Sequence, residues 1–337
     1  MAAVIGYVGA DVPVELITAA GARPVRLAGR PDADRTLGEK YLGRGLDPAA
    51  RSLLSRLLAG EFGRLDGLVV SRDCEASLRL FYALRELRRV EPAVALPPVH
   101  LVDVLHLPHR TTTRYVLAKV RQLRATLESW TGSVITDAAL ADAITAHDRL
   151  RALLGEMAAL RRRGRLSGTR ALSIVARTTA LPVPAAIELV ESVLEEDHAP
   201  VPGLRVFLTG SGHDGPEVYE ALEEAGLLIV GEDHDWGDLL WQRRVGAPTE
   251  LALAERYQHN GPSAPRASIR ARAAHTAAAA RECGAEALIS YVREHDDAPP
   301  WDYPAQREAT GLPAVLLERQ PYGGLTPEAR TAIKELP

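Results

Sequence analysis

The sequence is poor in cysteine, in aromatic residues and in long apolar runs, and each shortage excludes something. Two cysteines, Cys74 and Cys283, stand in 337 residues, which is no disulfide framework. No apolar run reaches membrane-spanning length. The first 13 residues lack a basic segment followed by an apolar core, so no signal peptide is expected. Together these features predict a cytoplasmic protein. The net charge of −4 supplies no basic field for nucleic acid. Neither nucleic acid nor a membrane is therefore expected as a partner.

What is present is ordinary globular material, 46% hydrophobic and 25% charged, enough for more than one core. The length suggests two or three domains. Val4–Val8 reads as a short buried strand. An Asp11 cap, Pro13 in the first turn and a Gly21 stop predict a helix over residues 14–20, and Pro24–Leu27 is the next strand. Leu68–Ser71 is a further strand, followed by a helix over about 75–89. The stretch from Val94 to Leu107 is broken by proline and reads as strand and loop. Strands alternating with helices predict a parallel sheet.

From Thr111 to about Asp197 the period becomes helical. Val116, Val120, Leu123, Leu127 and Trp130 mark one helix, Thr136 caps a second, and a third opens after Pro182 and Pro184. The β-α rhythm returns at Gly203. Strands are expected at 205–209, 227–230, 287–290 and 314–317, with helices at 216–225, 268–283 and near 304–310. The expected fold class is α/β, with two Rossmann-like or flavodoxin-like parallel-sheet domains and a helical segment between them. The expected boundaries are 1–110, 111–197 and 198–337.

Gly210-Ser211-Gly212-His213-Asp214-Gly215 follows a strand and precedes a helix, with Glu232-Asp233 after the next strand. Such a loop lets backbone approach a phosphate at a helix N-terminus, which makes Gly210, Ser211 and Gly212 candidate cofactor contacts. In a dinucleotide fingerprint, however, the third glycine lies inside the helix. Here Pro216 follows at once, which starts the helix there, makes Asp214 its cap and leaves Gly215 in the turn. No nicotinamide cofactor is expected.

Several segments together resemble the D-component family of 2-hydroxyacyl-CoA dehydratases and benzoyl-CoA reductases. Pro13-Val14-Glu15-Leu16-Ile17-Thr18-Ala19-Ala20-Gly21 is similar to the family's opening stretch. Asp66–Val70 with Asp73-Cys74-Glu75 resembles the strand leading to its Cys-Asp site. Leu107-Pro108-His109-Arg110, Gly132–Ile144, Arg205–Asp233, Arg256–Pro262, Ala285–Ser290, Trp301–Pro304 and Gly311–Glu318 follow in the family's order. The resemblance implies a dimer, of a related paralogous subunit or of two copies of this chain. It also implies a CoA thioester substrate, an ATP-dependent activator that injects an electron, and a [4Fe–4S] cluster on cysteine thiolates.

Cys74 fits one cluster position, and a helix N-terminus there favours thiolate. The other expected cysteines are replaced. The early loop has Gly9-Ala10, a later loop has Ser263, and the last has His295-Asp296-Asp297-Ala298. His109, His295 and Asp296 are candidate co-ligands, since mixed ligation of iron–sulfur clusters exists. His213, Asp214, His234, Asp235 and His259 form a second polar group without a recognisable ligand spacing. Cys283 reads as a buried small apolar residue. Trp301 reads as a pocket wall or as interface packing. No catalytic residue is assigned.

Three readings follow. The chain is a catalytic subunit whose cluster is shared or unusual, or a structural partner of a cluster-bearing paralogue. In the third it is a cluster-free enzyme or binding protein repurposed for another small molecule in the cleft between the α/β halves.

Overall fold

A computed structural model describes residues 2–262 and 266–337. Ser263 therefore lies outside the described residues. The first elements in chain order are β1 (Val4–Val8), α1 (Val14–Ala19), β2 (Arg23–Arg26), α2 (Thr36–Leu42), α3 (Pro48–Leu58), β3 (Gly67–Ser71), α4 (Glu75–Val90) and β4 (Val99–Val102). Four helices follow: α5 (Arg110–Thr131), α6 (Asp137–Arg162), α7 (Gly168–Thr178) and α8 (Val183–Leu194). Then come β5 (Leu204–Gly210), α9 (Glu217–Glu224), β6 (Leu227–Glu232), α10 (Glu250–Gln258), α11 (Ile269–Glu282), β7 (Ala287–Arg293), α12 (Pro299–Thr310), β8 (Ala314–Gln320) and α13 (Pro327–Ile333).

The strands form two four-stranded sheets of order β2-β1-β3-β4 and β6-β5-β7-β8, and every pairing is parallel. The α/β fold class with two Rossmann-like or flavodoxin-like sheets is thus observed. The chain divides into two compact units. Unit 1 comprises Met1–Arg151, Thr178–Ile187 and Arg243–Asn260, and unit 2 comprises Ala152–Arg177, Glu188–Gln242 and Gly261–Pro337. The helices of residues 111–197 are shared between the two units, with α6 running from one into the other.

In unit 1, alternation along the strands sends apolar side chains to both faces, as parallel sheets require. One face packs Ile5 and Val69 against Leu16 of α1, Val116, Val120, Leu123 and Leu127 of α5, and Leu253 of α10. The other packs Leu68 and Val70 against Leu53 and Leu54 of α3 and Leu80 and Leu84 of α4. Unit 2 repeats this plan. Val206, Leu208 and Ile289 meet Leu222 of α9 and Ile333 of α13 on one face. Phe207, Val230 and Leu288 meet Ala280 and Cys283 on the other. Cys283 is therefore a buried core residue, as its composition-level reading holds.

Local chemistry sets the helix starts. Thr136 accepts from the Ala139 amide at 3.1 Å, Ser268 from Ala271, and Asp47 from Ala49 at 2.9 Å, with Pro48 in the first turn of α3, as capping requires. Two expectations are corrected. Helix α1 has Pro13 as its N-cap and no side-chain cap, and Asp11 lies against His106 Nε2 at 2.9 Å instead of capping the helix. Helix α9 starts at Glu217 with Pro216 as its N-cap and no side-chain cap. Asp214 instead accepts a hydrogen bond from the Tyr322 hydroxyl at 2.7 Å.

Candidate functional site

In an open parallel sheet, ligands bind outside the carboxyl ends of the strands where the strand order reverses. In unit 1 that point lies between β1 and β3. There Gly9-Ala10-Asp11 faces Ser71-Arg72-Asp73-Cys74. Asp73 Oδ2 accepts from the Ala10 amide at 2.8 Å, and Ser71 Oγ accepts from the Asp11 amide at 3.4 Å. The buried Asp11 carboxylate lies 2.9 Å from His106 Nε2, and His106 Nδ1 lies 3.1 Å from the Gln258 carbonyl. The Gln258 amide nitrogen in turn donates to the Leu107 carbonyl at 2.6 Å.

Cys74 caps α4 and accepts from the Ser77 amide at 3.4 Å. The expected lowering of its thiol is not what the surroundings produce. Desolvation by packed neighbours and then the Asp73 carboxylate push the thiol up to about 12, against the Ser77 hydrogen bonds that lower it. The residue keeps an exposed face, so solvent moderates that upward push.

In unit 2 the order reverses between β5 and β7, which brings Gly210-Ser211-Gly212 against Arg293–Asp296. Gly210 has φ +108, and a Cβ there would collide with the Tyr291 carbonyl oxygen. This glycine is required by close backbone approach. The Ser211 amide donates to the Tyr291 carbonyl at 2.8 Å, and its hydroxyl donates to Asp296 Oδ2 at 2.6 Å. The Arg293 amide donates to the Ser211 hydroxyl at 3.0 Å, and Arg293 Nη1 donates to the Gly212 carbonyl at 2.6 Å. Helix α9 carries Glu217 and Glu220 in its first turn, which adds negative charge at the end where a phosphate seeks positive charge.

Two buried networks back this edge. His234 Nε2 lies 2.8 Å from the Tyr219 hydroxyl, and the His213 ring packs on Tyr219, His234 and Tyr291. Burial pushes both histidines down, His213 strongly. Beside them, Gln306 Nε2 donates to the hydroxyls of Thr209 and Thr276 at 3.0 Å each. Both hydroxyls donate to Asp233 Oδ2, at 3.0 and 2.7 Å. Farther along β6, Arg161 pairs with Glu232 and, at 2.7 Å, with Asp238. These three line a small cavity with Met157, Leu172, Val175 and Trp241, roomy enough for one water. Burial, with Glu232 beside it, raises the Asp238 carboxyl against the pull of Arg161.

The sequence candidates thus fall in different places. Cys74 stands at the reversal point of unit 1. His109, also in unit 1, is the exposed N-cap residue of α5 and makes no side-chain cap bond. Ser211 and Asp296 meet in unit 2. His295, at φ +66, is exposed and lies 3.2 Å from Glu294. Trp301 is 75% exposed, where a pocket wall or packed interface residue was expected. Among the described residues no group of three or more His, Cys, Asp or Glu is arranged to hold a metal ion. In the sequence Asp73 and Asp11 stand out only as a motif neighbour and a helix-start residue, and His106 and Gln258 do not stand out as site residues. The Asp73-Cys74 pair at a strand end is a visible signal, but the pairing of Asp11 with His106 leaves none.

The model of the 2-hydroxyglutaryl-CoA dehydratase, D-component family matches residues 10–333. The chain belongs to that family. It is 23% identical over 342 residues to the (R)-phenyllactyl-CoA dehydratase beta subunit of Clostridium sporogenes, covering 98% of this chain and 90% of that one. It is 24% identical over 326 residues to the (R)-2-hydroxyglutaryl-CoA dehydratase subunit beta of Acidaminococcus fermentans, covering 90% and 83%. Among solved structures, a FpvC mutant from Pseudomonas aeruginosa aligns over 98% of this chain and 94% of its own at 15% identity. Its TM-score is 0.21.

The family resemblance implies a [4Fe–4S] cluster, and the residues present do not fit one. Such a cluster is held by thiolates. Unit 1 offers one cysteine at its reversal point, kept as a thiol by desolvation and the Asp73 carboxylate, and Cys283 is enclosed in the apolar core of unit 2.

Proposed function

We propose that this chain is one subunit of a 2-hydroxyacyl-CoA dehydratase-like complex, a lyase acting on CoA thioesters. In this reading it pairs with a paralogous subunit that carries the iron–sulfur cluster and receives the electron from an ATP-dependent activator. The chain supplies a scaffold and a wall for the thioester. The carrying observation is a family match spanning nearly the whole chain combined with one thiol at the cluster-like position. Two free cysteines and no helix long and apolar enough to cross a membrane, among the described residues, support a reducing cytoplasmic setting.

The test is anaerobic co-expression with a cluster-bearing paralogue, with affinity capture on this chain. Co-elution of a brown partner in equal amount, with dehydratase activity only in the pair, is the expected result. A chain that elutes alone, with no activity gained by adding the paralogue, overturns the reading and favours a repurposed small-molecule protein.

A further inference from the structure

We infer that the loops at the reversal point of unit 1 are tied together by the chain's own polar groups, with Asp73 as the positioning residue that keeps a cluster out. The inference rests on the dehydratase-subunit reading only for the kind of group excluded. Its basis is the way four chain segments are tied across the sheet edge.

The β1 loop is bound to the β3 loop twice, through Ala10 to Asp73 at 2.8 Å and through Asp11 to Ser71 at 3.4 Å. The same Asp11 reaches the segment after β4 through His106 at 2.9 Å. His106 then reaches the end of α10 through the Gln258 carbonyl at 3.1 Å. The belt crosses from β1 to α10, and every link is made of this chain's own polar groups.

Gly9 shows how tightly the belt is drawn. Its φ is +88, and a Cβ there would lie well inside contact distance of both Ser71 Oγ and Asp73 Oδ2. A cysteine therefore cannot stand at Gly9 while the belt is closed. The neighbouring Ala10 amide is already engaged by Asp73. Where a cluster would need soft sulfur ligands and open volume, the crevice holds a carboxylate and a hydroxyl aimed at backbone amides. The single thiol thus stands beside loops already fastened by a carboxylate and a hydroxyl.

The test uses the purified full chain, incubated anaerobically with ferrous iron and sulfide. Iron and acid-labile sulfide per chain are measured with the visible spectrum. The expected result is no stoichiometric iron or sulfide and no charge-transfer band. Near one cluster per chain overturns the inference even if the paralogue binds as proposed. Conversely, loss of paralogue binding leaves this result standing, so the two failures are separate. A second measurement reads the tightness of the belt. Gly9→Ala should lower the melting temperature by at least a few degrees, and adding Ser71→Ala should recover part of the loss by removing the nearest of the three obstructing atoms. A Gly9→Ala chain that melts with the native one overturns the inference.

Discussion

The two units share a strand order and a pattern of helices on both faces, yet they bury charge in different places. In unit 1 a buried carboxylate at the strand ends, Asp11, is joined by a buried ion pair between helices. Glu15 of α1 is fully buried, pairs with Arg151 of α6, and accepts from the Tyr257 hydroxyl of α10 at 2.9 Å. In unit 2 the buried polar groups sit at the ends of the strands, in the Thr209–Asp233–Thr276–Gln306 network and the Arg161–Glu232–Asp238 group. A common sheet plan therefore fixes where a crevice falls, and the loop and helix residues decide what it can hold.

That contrast can be broken at its strongest points first. Arg161→Met leaves Glu232 and Asp238 buried without the cation they pair with, and Arg151→Met removes the cation paired with Glu15, leaving Arg256 as the remaining buried charge facing it. Each should cost about 3–5 kcal/mol, read from urea unfolding. Hydrogen exchange should place the loosening of Arg161→Met in unit 2 and that of Arg151→Met in unit 1. Loosening spread evenly through the chain in both variants would erase the distinction.

Acid sharpens it next. Burial alone would raise Glu15, but Arg151, then His147 and Arg256, bring it down from 4.5 to about 2. A group depressed in the folded state stabilises fully above its unfolded value. That contribution, about 3 kcal/mol, is lost as pH falls from near 4.5 toward 2. Glu15→Gln should flatten the fall of the urea midpoint over this window. An unchanged slope would mean that Glu15 does not carry the acid sensitivity. An earlier loss, below the ordinary histidine value of 6.5, is expected in both units, because buried His147 in unit 1 and buried His213 and His234 in unit 2 resist protonation.

A smaller effect is expected at the unit 2 strand ends. Thr276→Val removes one donor to Asp233 and one acceptor from Gln306, which should cost about 1–3 kcal/mol. Calorimetry would show it as a lowered melting temperature, and an unchanged one would remove this network from the account of unit 2. The smallest is Trp301→Ser. With 75% of the residue exposed, the isolated chain should lose less than about 0.5 kcal/mol, and a larger loss would reveal packing of this side chain.

Much of the sheet plan is legible in the sequence because the strands are short apolar runs bounded by glycine, proline or aspartate. Leu68–Ser71 and Leu227–Val230 are examples, buried throughout in β3 and β6. Helix α3 also carries a readable signal, Asp47-Pro48, yet its rows of small and charged residues mask the period. Helix α10 is weaker still. Its inward face is Leu253, Ala254 and Tyr257, too few apolar positions to announce a helix alone.

The candidate site is legible only in halves. Cys74 can be placed at a strand end and helix start, because both signals are local. Whether its thiol is held down or pushed up depends on Asp73 and on packing that sequence spacing does not contain. The Gly210 turn is readable as backbone permissiveness, but the Arg293, Tyr291 and Asp296 groups that fasten it come from about 80 residues away. His106 and Asp11 are 95 residues apart, so no period links them.

The route of the chain has a consequence for how the protein is made. It changes unit five times between Arg151 and Gly261, and Tyr257 lies 242 residues beyond the Glu15 it satisfies. A ribosome that has finished the first sheet has not yet made α10, whose Leu253 and Tyr257 complete the core around Leu16 and Val120. Until then the nascent first unit carries uncovered apolar surface and a buried acid lacking one partner, the condition in which large chains depend most on chaperones.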